Sequence, residues 1–227
     1  MRPLSTGREA TGPPPARARR DPMDRSRAVP YDPAMTSITP LRVGLLLPMG
    51  DADEPGAGGW PVIRDAALRA EAAGIDSVWG YDHLLFRMPD EPEDGIHEAF
   101  TILAAVAAVT ERVGLGSLVF AMSFRHPAVF AKMAATLDAV AGGRLILGIG
   151  CGWHEPEYRA FGVPFDHRVA RFEEALEVMV PLLRGERVTY EGRWTRAEDA
   201  VLIPPPFRPA RMPGRLPVLV AARGERM

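Results

Sequence analysis

The residues best suited to chemistry lie together between Gly142 and Phe165, in the run GGRLILGIGCGWHEPEYRAFGVPF. Gly148, Gly150 and Gly152 alternate with Ile149 and Cys151, and glycine at that spacing leaves backbone open to a flat ring or a phosphate. Trp153, His154, Glu155, Glu157 and Tyr158 follow at once, on what the pattern predicts as the first turns of a helix. The stretch thus combines an aromatic surface, a proton carrier and carboxylates. A tight strand-to-helix turn needs the same glycines, so their alternation alone does not separate a ligand bed from a turn. Asp82, His83, His126 and His154 are a conceivable metal-ligand set. No His-x-His follows the first apolar run and no late aspartate completes the set, which argues against metal-dependent hydrolysis.

Elements must carry these groups to one place. From Leu41 onward, short apolar runs alternate with helical periodicity. LRVGLLL (41–47), IDSVWG (75–80), RVGLGSLVF (112–120), RLILGI (144–149) and LPVLVAA (216–222) read as buried strands. Their central residues Val43, Val78, Leu115 and Leu147 are spaced by 35, 37 and 32, the period of a βα repeat and hence of a parallel sheet. Between them, Pro61 opens a helix that ends at Gly74. Glu98–Thr110 predicts a second helix, with Phe100, Leu103, Ala104 and Ala107 on one face. Pro127 opens a third, with Val129, Met133, Leu137 and Val140 inward. The longest, Arg168–Arg184, has an apolar stripe and a Pro181 that should bend or shorten it. Residues 188–206 predict a polar hairpin turning at Glu191-Gly192.

An open doubly wound sheet usually has its phosphate-binding glycines in the first βα turn, and PMGDADEPGAGG does not fit that pattern. Here polar groups follow strands two, three and four, which favours a (β/α)8 TIM-type barrel with active residues at the strand ends. A barrel typically needs ~250 residues, so the pattern predicts α/β architecture with about the first five βα units. Trp153, Met122, Phe124 and Phe161 could wall an apolar substrate site, with Phe161 read as core and with His154 and His167 as surface or helix-start groups.

Composition narrows the function classes. The 227 residues carry a net charge of −2, which gives no basic footprint for nucleic acid. Cys151 is the single cysteine, so no internal disulfide forms and a reducing cytoplasm fits. No run of apolar residues is long enough to span a membrane. Residues 1–37 hold seven Arg, four acidic residues and seven Pro without apolar periodicity. They read as a disordered tail or a start assigned too early, ahead of a domain covering 38–227.

The runs SVWGYDHLL (77–85), 97–165 and RFEEALEVMVPLLRGERVTYEGRW (171–194) resemble the bacterial-luciferase-like superfamily of flavin- and deazaflavin-dependent oxidoreductases. Within it the chain is most similar to the coenzyme F420-dependent branch. The resemblance implies a (β/α)8 barrel with an inserted segment, here 188–214, and a cofactor across the strand ends. It implies F420, with FMN as the alternative, and a small-molecule substrate, with a homodimer possible. It places His83 near the reactive ring and Asp82 as a residue that helps place the cofactor. Ser117, Leu118 and Val119 match a third-strand bulge that often carries a non-proline cis peptide. Gly150, Cys151, Gly152 and Trp153 match the turn beside the cofactor, Glu98 an acidic residue before the second helix and a substrate-site candidate with Met122 and Phe124, and Arg125-His126-Pro127 a helix start. Two departures stand out. Trp153 replaces a glutamate, and the region of Arg87 lacks a tryptophan, of the sugar-phosphate and alcohol dehydrogenases of the branch, which argues against those activities. The resemblance further implies three more strands in a complete barrel, so a truncated, non-catalytic flavin binder is a third reading.

Overall fold

Short apolar runs punctuated by glycine form the strands, and the alanine-rich amphipathic segments between them form helices long enough to cross back over the sheet. The computed structural model describes residues 41–50, 58–90, 93, 95–206 and 215–222. The expectations for residues 1–37 and for 207–214 lie outside them.

The element order is β1 (Gly44–Leu46), α1 (Trp60–Ala72), β2 (Ser77–Gly80), α2 (Ala99–Val109), β3 (Gly114–Ser117), β4 (Phe120–Ala121), α3 (Pro127–Val140), β5 (Leu145–Gly150), α4 (Glu155–Ala160), α5 (Arg168–Leu183), β6 (Val188–Glu191), β7 (Arg196–Ala200) and β8 (Val218–Val220). β1, β2, β3, β5 and β8 are hydrogen-bonded neighbours in that order, all parallel, and β4 continues β3 alongside β5. The result is a five-stranded parallel arc in which the third strand is broken at residues 118–119.

Val78, Leu115, Leu145, Leu147 and Ile149 are buried in one core with Ile63, Leu103, Phe130 and Val178 from the helices. Phe100, Phe120 and Phe130 meet there as one stacked and two edge-to-face pairs, and each such pair adds about 0.5–1.5 kcal/mol beyond its buried area. Trp79 lies across the Gly44 and Gly116 backbones, where a side chain on either would collide with its indole.

Helix starts follow the sequence closely. Glu98 caps α2 by accepting from the N–H groups of Phe100 and Thr101, and Pro127 opens α3. α5 continues only two residues past Pro181.

Several expectations need correction. β1 and β8 are not buried: Leu45, Leu46, Val218, Leu219 and Val220 are all exposed. They are the two edges of the arc, and among the described strands each pairs on one side only. Val129 and Val140 face solvent, because the core side of α3 is set by Phe130, Ala131, Ala134 and Leu137, which pack toward α2, α5 and β5. Phe161 is exposed at the end of α4 rather than in the core. His154 is buried, because its ring stacks on Phe86 and its Nε2 accepts from the Arg87 N–H. The hairpin β6–β7 forms as expected, and the bond from Gly192 N to Thr195 O closes its turn.

Candidate functional site

The strand ends of the arc open into a cleft of about 850 Å³, within the range of small-molecule sites. Its lining combines the ends of β2, β3, β5 and β8 with the starts of α4 and α5. Eight residues expected at the site line it: Asp82, His83, Leu118, Val119, Gly150, Cys151, Gly152 and Trp153.

The floor is apolar. The Leu118–Val119 peptide is cis, as the resemblance implied, and it sits where β3 breaks before β4. Leu118 stands half-exposed there, and Gly150 faces Val119 and Ala221. Ser117 lies outside the cleft lining. It is fully buried, and its hydroxyl has no hydrogen-bond partner among the described residues.

The other two glycines are needed by the chain itself. A side chain on Gly148 would strike the Ser117 carbonyl oxygen at 1.9 Å. One on Gly152 would strike the Tyr158 hydroxyl at 1.8 Å, and Gly152 also adopts φ +73°. Tyr158 is held by Ser123 Oγ and donates to the Cys151 carbonyl. Burial pushes its hydroxyl up to about 12, so it stays protonated.

Asp82 is fully engaged inside the protein. Its two oxygens take Nη1 and Nη2 of Arg125 at 2.7 and 2.9 Å, and Oδ2 also accepts from the Ala121 N–H. Burial pushes this carboxyl above the ordinary aspartate range, while Arg125 and Ala121 pull it back. Arg125 is held above its ordinary value despite burial, because it pairs with Asp82 and with Glu98. Glu98 therefore caps α2 and holds Arg125, and it does not line the cleft. This triad ties the ends of β2 and β4 to the starts of α2 and α3, so Asp82 both lines the cleft and holds the strand ends together.

His83 stands at the rim. Its Nδ1 lies 3.0 and 3.2 Å from the two oxygens of Glu157, a buried residue in the first turn of α4. Trp153 and Phe86 pack edge-on against the imidazole. Met122 and Phe124 lie instead on a smaller cavity of about 280 Å³ beside the cleft, which shares Cys151 and Arg168 with it.

Sequence reasoning missed Arg168, Val169, Leu219, Ala221 and Ala222 in the lining. A strand-end position was the available signal for the last three. Arg168 donates to the carbonyls of Gly152 and Phe165 and packs on the Phe165 ring. Among the described residues no group of three or more His, Cys, Asp or Glu side chains could hold a metal ion. No described helix is long and apolar enough to cross a membrane.

Residues 41–227 match the luciferase-like monooxygenase family. The chain belongs to that family. The arc is accordingly the β/α architecture of a TIM-type barrel, with five parallel strands described. Two of the curated relatives that the chain matches are named F420-dependent glucose-6-phosphate dehydrogenase. One, from Intrasporangium calvum, is 42% identical over 170 residues, covering 71% of this chain and 48% of the relative. The other, from Kineococcus radiotolerans, is 41% identical over 167 residues, covering 71% and 47%. The chain therefore spans about half the length of the curated relatives it matches. Among solved structures, monooxygenase RslO1 from Streptomyces bottropensis superposes with a TM-score of 0.63 at 28% identity, covering 79% of this chain and 53% of that one. The relatives carry the name of the dehydrogenase subgroup from which Trp153 and Arg87 depart, and in this chain the buried carboxylate beside His83 comes from Glu157.

Proposed function

We propose that the chain is the cofactor-bearing part of an F420-dependent oxidoreductase acting on a small organic substrate with a hydroxyl or carbonyl group. The observation that carries this reading is the convergence of His83 with the apolar cleft floor made by Leu118, Val119 and Gly150. The identity to relatives named for F420 supports it.

The residues present suit a flat, extended cofactor. Leu118, Val119, Gly150 and Ala221 offer an apolar bed for a ring system, and Arg168 offers a cation to an anionic tail. When bound, such a cofactor supplies the hydride chemistry. The protein's tasks are position and proton transfer. The Asp82–Arg125–Glu98 triad holds the strand ends together, and Trp153 packs edge-on against the His83 ring. His83 takes or returns the proton of the substrate oxygen, a role suited to imidazole near neutral pH.

FMN-dependent monooxygenation is the second reading, favoured by the likeness to monooxygenase RslO1. Titration with F420 and FMN side by side, followed by cofactor fluorescence, separates the two. Tighter binding of F420 supports the proposal, and preference for FMN overturns it. Binding without turnover identifies a non-catalytic binder. The single cysteine suits a cytoplasmic location, and the apolar edges β1 and β8 suit association, including a homodimer.

A further inference from the structure

Glu157 has no task in the proposed chemistry so far, yet it is a buried carboxylate that lines the cleft and faces His83. Its side chain is 2% exposed, against 15% for His83. Both of its oxygens face the corner after β2. They meet His83 Nδ1 at 3.0 and 3.2 Å, and Oε2 also accepts from the Leu84 N–H at 2.8 Å. An ionised carboxylate only accepts hydrogen bonds. With Glu157 ionised, the shared proton sits on His83 Nδ1, and in the neutral ring Nε2 is then the lone-pair nitrogen.

We propose that Glu157 is a positioning residue for His83: it fixes the Nδ1–H tautomer, so that Nε2 serves the cleft as the proton acceptor. The inference rests on the proposed oxidoreductase reading. A buried carboxylate that orients an imidazole and supports its protonated form is a recurrent device of acid–base sites. In the oxidation direction, bound F420 would supply the hydride acceptor as the substrate C–H bond breaks. The hydroxyl proton moves to His83 Nε2, a C=O bond forms, and the imidazolium later releases its proton to water. Glu157 faces the charge that develops on the ring. The neighbouring His154 adds no second cation: burial holds it below the ordinary histidine range, and its Nε2 already accepts from the Arg87 N–H. Phe86 and Trp153 keep the ring from rotating away.

The primary test is nitrogen-15 NMR of the imidazoles in the full chain without cofactor. Wild type should show His83 protonated on Nδ1. Glu157→Gln keeps the shape but has one acceptor oxygen, which the Leu84 N–H claims, and its amide then donates to the ring. That variant should shift His83 toward the Nε2–H tautomer. A wild-type His83 protonated on Nε2, or a tautomer unmoved by Glu157→Gln, overturns the proposal. Should Glu157→Gln fail to fold, the wild-type spectrum still decides and Glu157→Asp, which keeps the charge, should retain the Nδ1–H form.

The kinetic arm follows oxidation of reduced F420 by a panel of small aldehydes and ketones, the reverse of that step. Glu157→Gln should lower kcat about 10²-fold, within the range of general acid–base effects, while KM and the F420 Kd stay within about twofold. In the His83→Ala background the same change should add less than about twofold, because residues acting as one unit are not additive. An undiminished loss in that background marks Glu157 as merely structural and overturns the proposal. Failure to bind F420 counts against the proposed function instead, and the tautomer measured by NMR then decides the role of Glu157 by itself.

Discussion

Asp82 and Gly152 show how single residues hold the walls of the cleft in place. The Asp82 side chain is fully buried, and its removal leaves the Arg125 guanidinium, itself 11% exposed, with Glu98 alone. Breaking a buried pair by deleting one partner destabilises by about 3–5 kcal/mol. Asp82→Ala is expected to lose stability on that scale in urea unfolding, and a loss below about 1 kcal/mol would show that the pair is not what fixes the strand ends. Gly152→Ala meets two obstacles at once, a left-handed backbone and the Tyr158 hydroxyl. It should destabilise by more than the ~1 kcal/mol of a strained backbone alone. Tyr158→Phe in the same chain should recover part of that loss, since it removes the atom nearest the added methyl.

At the scale of elements, two glutamates anchor loops by the same device. Glu71, on α1, accepts from the consecutive N–H groups of Glu111, Arg112 and Val113 just before β3. Glu174, on α5, accepts from Arg193, Trp194 and Thr195 at 2.9, 3.0 and 3.1 Å and so ties the hairpin turn to its helix. Three orphan amides gathered by one carboxylate are otherwise left to water. Glu174→Ala should raise hydrogen-exchange rates at residues 193–195 by about tenfold or more, the order expected when charge-assisted bonds of about 1.5–3 kcal/mol are lost. Amides in α2 should not respond. Equal rates in variant and wild type would mean that Trp194 packing, with Arg171 and Arg193 over its ring, holds the turn unaided.

For the molecule as a whole, these anchors set the pH response. Burial pushes Glu71, Glu98 and Glu174 up, but their hydrogen bonds more than offset it, and all three stay below the ordinary glutamate value of 4.5. A carboxyl depressed on folding contributes stability above its unfolded value and loses it as pH falls through the folded value. His154 acts in the same direction. Its lowered value means that the unfolded chain takes up a proton more readily once pH drops below about 6.5. Thermal midpoints should therefore fall modestly from pH 7 to 5 and steeply below 4.5. A midpoint unchanged between pH 7 and 4 would contradict this account. The exposed apolar residues of β1 and β8 add a second property of the whole. Sedimentation of the 227-residue chain should show concentration-dependent association, because unpaired apolar strand edges recruit other chains.

Local signals in the chain suffice for the alternation of strands and helices, their parallel order and the strand ends as the place where the cleft opens. Those signals are the roughly 35-residue period, Pro61 and Pro127 at helix starts, and glycines where strands turn. His83, Gly150 and the 118–119 break were legible too, through the runs that carry the resemblance. What each polar group faces is settled by tertiary contact instead. Asp82 meets Arg125, 43 residues away, and His83 meets Glu157, 74 residues away. No periodicity encodes such pairings, because they depend on how the β2 corner and α4 converge across the arc. Burial of β1 and β8 was misread for a related reason. An apolar strand has the same residue pattern at an edge as in the middle, and its neighbours alone decide whether it is covered.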